Sequence, residues 1–328
     1  MMAKHCPFFN CINVNKYGLQ NGKQRYFCNT CKRSWTSQRR PKRFVDNLWE
    51  QYAFEGRTVK TLAKEHKKSC GYIRSQLCQY RPPKIAQKPR IVSIIMDVTY
   101  FDGWGLFVAI DPYANYALNE NTVLYYAVLN STERTIDYEI ATDTIESMGY
   151  SIIAVTIDGR RGVRNMLEAR GIPVQHCQFH QLMTITKCLT KRPRIIQNIE
   201  LRAIAMTLAR SDESTFEAAL AGWYERHGDW LKERDEVTNR YSHERTRRAC
   251  FSLVRNLPNL FTYQHDYLQK DVSEMRNKTY KVANTTSPLD GRFGVWKSKL
   301  KSHRGASKQL TFTMLCSFLS GDTGVKKH

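Results

Sequence analysis

The feature that most restricts the fold is an alternation of apolar runs and amphipathic segments that begins at Ile91. IVSIIMD and SIIAVTIDG are continuous apolar runs that each end in an acid, and GLFVAID and TVLYYAVLN lie between them. Runs of this length are typical of buried strands. IDYEIATDTIESMG and VRNMLEARG have helical spacing, and IPVQHC predicts one more short strand. Strands that alternate with helices predict an α/β domain.

A long helical stretch interrupts this alternation. Strand patterns stop near His180 and resume nowhere before Val282, and FEAALAGWYERHGDWLKERDEV and RTRRACFSLVRNL are the clearest helices of the stretch. TSPLDGRFGVWKSKLKSHRG then predicts a further helix. The predicted segments are a cysteine-rich module (1–42), a three-helix module (43–82), a linker (83–90), the first part of an α/β core (91–187), an all-helical insertion (188–283) and the last part of the core (284–328).

Two cysteine pairs stand near the N-terminus, Cys6 with Cys11 and Cys28 with Cys31. Four thiolates suit one tetrahedral structural Zn²⁺, which would stabilise a module too small to have a core of its own. His5 is an alternative ligand, because the first pair is spaced more widely than the common C-x2-C. The other interpretation is four thiols that bind no metal.

Basic and aromatic residues flank the second cysteine pair, in KYGLQNGKQRYF and KRSWTSQRRPKR. This mixture suits contacts with DNA phosphates and some stacking on bases. We predict that Arg25, Lys32 and Arg33 contact DNA. Zinc ribbons of this kind also mediate protein contacts, so that alternative stays open.

Three short helices are predicted between residues 44 and 80, with a turn near residues 66–69. These proportions match a helix-turn-helix, whose last helix enters the major groove. Tyr72, Arg74 and Gln76 would then face the bases. The alternative is a three-helix unit with a packing role alone.

The charge of the chain indicates a nucleic-acid partner. The 328 residues include 51 Lys and Arg against 30 Asp and Glu, a net charge of +21. An excess of this size in a folding chain is typical of proteins that bind polyanions. No apolar stretch has the length of a signal peptide or a membrane span. We therefore expect a cytoplasmic protein that binds double-stranded DNA and no membrane.

Two acids occupy equivalent places in the strand pattern, since Asp97 ends IVSIIM and Asp158 ends SIIAVTI. Carboxylates at strand ends lie at the edge of a sheet, where the sites of α/β proteins gather. If a later helix adds a third carboxylate, the three suit two Mg²⁺ or Mn²⁺ ions about 3.5–4 Å apart, which promote attack on a phosphodiester. Asp102 and Asp111 compete for the first position. Each acid can also merely begin a loop.

The stretch QHCQFHQLMTITKCL places Cys177 and His180 one helical turn apart. The pair is too small for a complete zinc site. We predict a structural role for it, bracing the end of the last strand against the acids.

Four motifs together carry a resemblance to a known family: MDVTYF around Asp97, TIDGRRGV around Asp158, VQHCQFH, and NTTSPLDGRFGVWKSKLKSHRG. In this combination, the chain from about Ile91 onward resembles a bacterial insertion-sequence transposase of the Mutator-like DDE group. GKQRYFCNTCKRSW likewise resembles the zinc ribbons that accompany such transposases.

The resemblance implies an RNase H-like catalytic core with an all-α insertion, followed by a helix that supplies the third acid. The matching position is Asp290, where the family normally has Glu, so an active variant, a weakened enzyme and an altered copy are the alternatives. The resemblance further implies that Asp97, Asp158 and Asp290 hold two Mg²⁺ or Mn²⁺ ions. It also implies cleavage at transposon ends, strand transfer into target DNA, and a homodimer or higher oligomer on paired inverted repeats.

The surroundings of Asp290 suit this role. Ser287 and Pro288 predict a helix start, and an apolar stripe along the helix would dock it on the core. The basic residues that we expect to contact DNA phosphates here are Arg292, Lys297, Lys301 and Arg304. An acid in the first turn is also explained by the helix dipole alone.

Two other functions are compatible with these motifs. One is a DNA-binding regulator that is derived from a transposase and has lost catalysis. The other is a structure-selective nuclease with the same core.

Overall fold

The computed structural model of the protein describes residues 5–6, 11–20, 23–36, 41–83, 87–115, 122–265, 267–271 and 276–321. The chain forms two compact units. One comprises Met1–Arg81 and Ser302–Leu310, and the other comprises Pro82–Lys301 and Thr311–His328. Within the described residues, none of the helices has the length and apolar character needed to cross a membrane.

The first unit begins with a small antiparallel sheet. Its strands are β1 (Val14–Gln20), β2 (Lys23–Cys28) and β3 (Ser34–Thr36), in that order across the sheet. The rings of Tyr26 and Trp35 face each other across β2 and β3, with centroids 5.9 Å apart. Such a cross-strand aromatic pair stabilises a sheet that has little core of its own.

Three helices follow in the same unit: α1 (Pro41–Trp49), extended by one π-helical turn over Glu50–Phe54, α2 (Val59–Glu65) and α3 (Cys70–Leu77). The hydroxyls of Thr58 and Ser69 cap α2 and α3 by accepting hydrogen bonds from backbone N–H groups of the first turn. The three predicted helices are thus present. However, α1 begins at Pro41, two residues before the predicted start of its module.

The C-terminal part of the chain is divided between the units. We predicted that residues 284–328 belong to the α/β core, but Ser302–Leu310 belong to the first unit, where the ring of His303 lies 4.1 Å from that of Tyr52. Both rings are buried. That prediction is therefore wrong for this stretch, because aromatic packing binds it to the helices of the first unit.

The second unit is built on a mixed five-stranded sheet. Its strands are β4 (Ile91–Phe101), β5 (Trp104–Ile110), β6 (Val123–Leu129), β7 (Ser151–Ile157) and β8 (Val174–His176). They lie in the order β6-β5-β4-β7-β8, in which the first three are antiparallel and β4, β7 and β8 are parallel. Helices α4 (Thr135–Ser147) and α5 (Arg161–Ala169) connect the parallel strands. The predicted α/β class is confirmed.

One face of this sheet packs against α4 and α5 and forms the core of the unit. Val92, Ile94 and Met96 of β4 point into it, and the ring of Phe107 meets that of Tyr138 edge to face at 4.9 Å. Side chains alternate between the faces of a strand. The odd-numbered residues of β4 therefore belong to the opposite face.

Helix α6 (Gln178–Leu189) begins before the predicted start of the insertion at residue 188. It shares a separate core with the helices of the insertion, α7 (Ile196–Met206), α8 (Glu213–Lys232) and α9 (Glu244–Leu260). Two antiparallel strands follow, β9 (Tyr267–Asp271) and β10 (Arg276–Tyr280). The prediction of an all-helical insertion is therefore wrong in its last part. YLQKD and RNKTY are polar and lack the apolar run by which a buried strand is recognised.

Two helices end the described chain, α10 (Ser287–Lys301) and α11 (Lys308–Gly321). Leu289, Phe293 and Trp296 of α10 are buried, as the predicted apolar stripe requires. The first turn of α10 therefore lies against the second unit and brings Asp290 with it.

Candidate functional site

The four N-terminal cysteines form a compact cluster. The Sγ atoms of Cys6, Cys11, Cys28 and Cys31 all lie within 4.8 Å of one another. Among the described residues, no other group of three or more Cys, His, Asp or Glu side chains is this close together. Four sulfur ligands at this spacing can hold a tetrahedral Zn²⁺. His5 is outside the cluster, so this alternative ligand is not required.

Backbone geometry prepares the cluster for a cation. The N–H of Cys31 donates to Sγ of Cys28 at 3.4 Å and, with further hydrogen bonds, lowers the pKa of Cys28 to about 6. Burial raises the pKa of Cys31 to about 11. The Cys28 thiol thus ionises readily, whereas the Cys31 thiol does not, and the charge of Cys28 adds to this difference. A divalent cation removes this conflict by accepting all four as thiolates.

The first two acids of the second unit are neighbours across parallel strands. The pairing of β4 with β7 aligns Ile95 with Thr156, so Asp97 and Asp158, each two residues further on, come side by side. We predicted that Asp97 ends its strand, but β4 continues to Phe101 by pairing with β5. Asp97 instead lies where its other neighbour, β7, ends. That edge of β4 is therefore open beside the acid.

Two buried hydroxyl groups, on Ser93 and Thr156, bind the segment that precedes Asp290 to the sheet. Ser93 donates to the carbonyl of Lys281 at 2.7 Å, and Thr156 donates to the carbonyl of Ala283 at 2.6 Å. These bonds hold the segment before α10 against β4 and β7. No prediction from the sequence named either residue, although Ser93 interrupts the apolar run IVSIIM and Thr156 interrupts the apolar run IIAVTI. That interruption was the available signal.

Thr286 connects Asp290 to the Cys-x-x-His pair. Its hydroxyl donates to Oδ2 of Asp290 at 3.0 Å and lies 3.4 Å from both Sγ of Cys177 and Nδ1 of His180. Its backbone N–H donates to the same sulfur at 3.2 Å. Thr286 is fully buried. Cys177 and His180 are thus linked to Asp290 through Thr286. No pattern in the sequence distinguished this threonine.

We call the group formed by Asp97, Asp158 and Asp290 the acidic site. The negative charges of these three carboxylates repel one another. Burial, together with the charges of Asp290 and Asp158, raises the pKa of Asp97 to about 7. The N–H of Val98, which donates to Oδ1 of Asp97 at 2.7 Å, opposes this rise. Near neutral pH, Asp97 is therefore only partly ionised when no cation is bound.

His180 supplies a positive charge to the acidic site. Its hydrogen bond with Cys177 raises its pKa to about 9 despite burial, and the charges of Asp158 and Asp97 contribute to this rise. Burial opposes ionisation of the Cys177 thiol, but hydrogen bonds from His180 and Thr286 outweigh it and lower the pKa of Cys177. His180 is accordingly an imidazolium at neutral pH.

The acidic site has the donor set of a hard divalent cation. Oδ1 of Asp158 is buried and has no hydrogen-bond partner among the described residues, which is costly for a carboxylate oxygen. A cation would satisfy this oxygen and relieve the repulsion at Asp97. The three carboxylates are not all within 4.8 Å of one another. This spacing does not prevent a site with two cations, because the three carboxylates of such a site need not all bind the same ion.

A fourth carboxylate lies nearby, and no feature of the sequence distinguished it. Glu133 is 8% exposed and forms an ion pair with Arg160, two residues after Asp158. Burial raises the pKa of Glu133, the cation of Arg160 opposes this rise, and the charge of Asp158 adds to it. The ion pair therefore links the start of α4 to the loop that carries the second acid.

The two competing acids lie elsewhere. Asp111 is buried, but its carboxylate pairs with Arg90 at 2.8 Å and accepts from the N–H of Tyr113 at 2.9 Å. Asp102 is exposed in the tight turn between β4 and β5, beside Gly103 with φ of 76°. Neither carboxylate belongs to the acidic site.

The residues predicted to contact DNA in the first unit lie on its surface with two exceptions. Lys32, Arg33, Tyr72 and Arg74 are exposed, whereas Arg25 and Gln76 are partly buried. The guanidinium of Arg25 donates to Oγ of Ser34 at 2.8 Å. On α3, Ile73 and Leu77 are buried, so Tyr72 and Arg74 stand on its outer side.

The basic residues predicted near Asp290 are distributed differently from expectation. Arg292 and Lys297 are partly buried on α10, and Nζ of Lys297 lies 5.7 Å from the ring centroid of Phe101. Lys301 is exposed at the end of the helix. Arg304 lies beyond α10 and belongs to the first unit, so it does not share the helix with the others.

Replacing Asp97 by Asn is expected to stabilise the protein in buffer without Mg²⁺ or Mn²⁺. The pKa of Asp97 is about 7 in the folded protein and 3.8 for an ordinary Asp, so folding favours the protonated form and parent stability falls as pH rises from about 4 to 7. Asparagine cannot ionise and avoids this loss. We expect a gain on the order of 2 kcal/mol at pH 8 and none below pH 4, measured by denaturant unfolding.

Asp102→Asn is the matched control, because its carboxylate is exposed, and we expect no pH-dependent gain from it. Adding Mn²⁺ should stabilise the parent more than Asp97→Asn, since only the parent keeps every ligand. A variant no more stable than the parent at pH 8 would contradict the proposed repulsion.

We compared the chain with models of protein families and with curated protein sequences, and neither comparison gave a match.

Proposed function

We propose that this protein is a metal-dependent DNA transposase of the Mutator-like DDE type, with an RNase H-like core. The observation that carries the proposal is the electrostatic coupling of three aspartates that come from β4, from the end of β7 and from α10. The three side chains are partly buried, and holding three like charges near one another in such a place is unfavourable without a bound cation. Their proximity is therefore best explained by a metal-binding role.

The arrangement of the second unit supports an RNase H-like core. Asp97 is on the first strand of the sheet, Asp158 follows the fourth, and Asp290 comes after an insertion that is mostly helical. This is the order of acids that the motif resemblance implies. The mixed five-stranded sheet provides two adjacent parallel strands, on which the first two acids become neighbours.

Asp97, Asp158 and Asp290 would hold two Mg²⁺ or Mn²⁺ ions. When bound, such ions lower the pKa of an attacking water or 3′-hydroxyl and stabilise the leaving oxygen of a phosphodiester. The residues of the chain orient this site and adjust its charge. Thr286 fixes one oxygen of Asp290, and His180 offsets part of the negative charge.

The proposed DNA substrate is supported by charge. A chain of net charge +21 binds the DNA backbone by releasing its counterions. In the first unit, the zinc ribbon and α3 would contact the transposon ends, with Tyr72 and Arg74 on the exposed side of α3. The proposed assembly is a homodimer or higher oligomer on paired inverted repeats.

The proposal is tested by joining of DNA ends. The substrate is a labelled duplex that ends in the DNA flanking the gene, incubated with a target plasmid in Mg²⁺ or Mn²⁺. We expect the parent protein to cleave at the end of the element and join it to the plasmid. Asp97→Asn and Asp158→Asn are expected to lose about 10³-fold or more in rate, while Asp102→Asn keeps parent activity.

Three results would refute the proposal. Joining that survives Asp97→Asn would exclude the metal site. End binding without cleavage in either metal would identify a regulator. Cleavage of branched DNA with no preference for the flanking repeats would identify a structure-selective nuclease.

A further inference from the structure

A second basic surface forms in the helical insertion. Residues 187–194 (KCLTKRPR) contain four cations and no acid, and residues 240–248 (RYSHERTRR) contain four arginines and one acid. Folding brings these distant segments together, because the guanidinium of Arg245 donates to the carbonyl of Lys187 at 2.7 Å. They enclose a cleft of about 710 Å³, to which Arg192, Arg194 and Arg245 contribute. We call it the basic cleft.

The positive charge of the basic cleft is not balanced by acids among the residues that the structure describes. Its one lining acid, Glu244, is already paired with Arg248 at 2.9 Å. Arg192, Arg194 and Arg245 are exposed, and none has a carboxylate within 4.0 Å in the described part of the chain. Three guanidiniums facing one open cleft repel one another unless an anion lies between them. The unbalanced charge therefore indicates an external anionic partner.

The backbone around the cleft adds to its positive potential. Asn198 in the first turn of α7 accepts a hydrogen bond from Thr246 in the first turn of α9, at 2.7 Å. The two helix starts are thus held together at the cleft, and neither has a side-chain cap. Helix N-termini carry partial positive charge. They reinforce the field of the arginines.

The position of the cleft relates it to the acidic site. Helix α6 begins beside Cys177 and His180 and ends at Leu189, which lines the cleft. Twelve helical residues span about 18 Å. That length corresponds to roughly five base pairs of duplex DNA, at 3.4 Å for each. A duplex at the acidic site can therefore reach the cleft.

We propose that the basic cleft binds the phosphate backbone of double-stranded DNA roughly five base pairs from the phosphodiester that reacts. Guanidiniums match phosphate oxygens in geometry and charge, and arginines from two separate segments suit successive phosphates better than one small anion. The distance to the reacting phosphodiester rests on the proposed function. Backbone binding by the cleft does not depend on it.

The test measures binding of the full chain to a fluorescent duplex of arbitrary sequence across a series of NaCl concentrations. Each phosphate contact contributes about 0.9 to the slope of log affinity against log salt. We expect R192A/R194A/R245A to reduce the magnitude of this slope by about 2.7. The matched control R210A/K232A/R255A removes three exposed cations of the same insertion that lie outside the cleft, and we expect less than half of that change.

A second variant guards against a folding defect. R192E/R194E leaves the bond from Arg245 to Lys187 intact and should weaken binding more than the alanine variant does. Equal slopes for the cleft and control variants, or unchanged binding by a folded R192E/R194E, would overturn the proposal. A parent that binds through the cleft but joins no ends would refute the transposase and leave this inference standing. A parent that joins DNA ends, with cleft variants whose salt slopes equal that of the parent, would support the transposase and refute binding by the basic cleft.

Discussion

Asp290→Ala is expected to lower the rate of DNA cleavage and joining by about 10³-fold, whereas Asp290→Glu retains measurable activity. The alanine removes one of the three carboxylates that would hold the cations. A bound cation lowers the activation free energy by several kcal/mol, because it stabilises the charge that develops in the transition state. Each loss of about 1.4 kcal/mol lowers the rate tenfold. Glutamate keeps the charge, but its longer side chain changes the hydrogen bond from Thr286. Single-turnover rates on the labelled end duplex in Mn²⁺ measure both effects.

Asp212→Ala is the matched control for the simpler explanation of Asp290 as a helix-start acid. Asp212 precedes α8 and accepts a hydrogen bond from the N–H of Thr215 at 2.8 Å. Removing this cap should lower the stability of the protein without affecting joining. If Asp290→Ala joins DNA as fast as the parent, a role in the helix start is all that remains for Asp290.

Cys28→Ser is expected to abolish zinc binding and unfold the strands β1–β3. Hydrogen bonds lower the pKa of the Cys28 thiol to about 6, and the three sulfurs that remain in the variant leave a Zn²⁺ incompletely held. Structural zinc in small modules contributes an apparent 10–16 kcal/mol, far more than this sheet can replace by packing. The reduced full-length parent should contain one zinc per chain by elemental analysis, and the variant close to none.

Cys78→Ser is the control for this substitution, because Cys78 is an exposed cysteine of the same unit outside the cluster. It should retain one zinc per chain. A reduced parent without zinc would exclude the zinc ribbon, even though the four sulfurs are close together.

Strong periodic segments were predictable because their signal is local. Apolar runs marked β4, β5, β6 and β7 before any contact was known, and helical spacing marked α4 and α5. The hairpin β9-β10 was missed, since its two polar strands lack an apolar run. Likewise, nothing local showed that β4 continues past Asp97, because its pairing with β5 extends it.

The acidic site was predictable only as a set of candidates. The pattern predicted Asp97 and Asp158, and it left Asp102 and Asp111 as competitors for the first position. The ion pair of Asp111 with Arg90 and the exposure of Asp102 separate them, and both depend on which strands are neighbours. Glu133 lies near the acidic site because it forms an ion pair with Arg160. The two residues are 27 positions apart, and composition does not predict such a contact.

The sequence by itself determined the α/β class, the four-cysteine module, the excess of positive charge and the residue types available for metal binding. These properties depend on local pattern and composition, which folding does not alter. Only the tertiary structure decided that Ser93 and Thr156 bring the segment before α10 to the sheet, and that Thr286 joins Asp290 to Cys177 and His180. It also decided that two basic segments about fifty residues apart form one cleft. Each of these contacts joins distant parts of the chain, and only the packing of the whole core selects them.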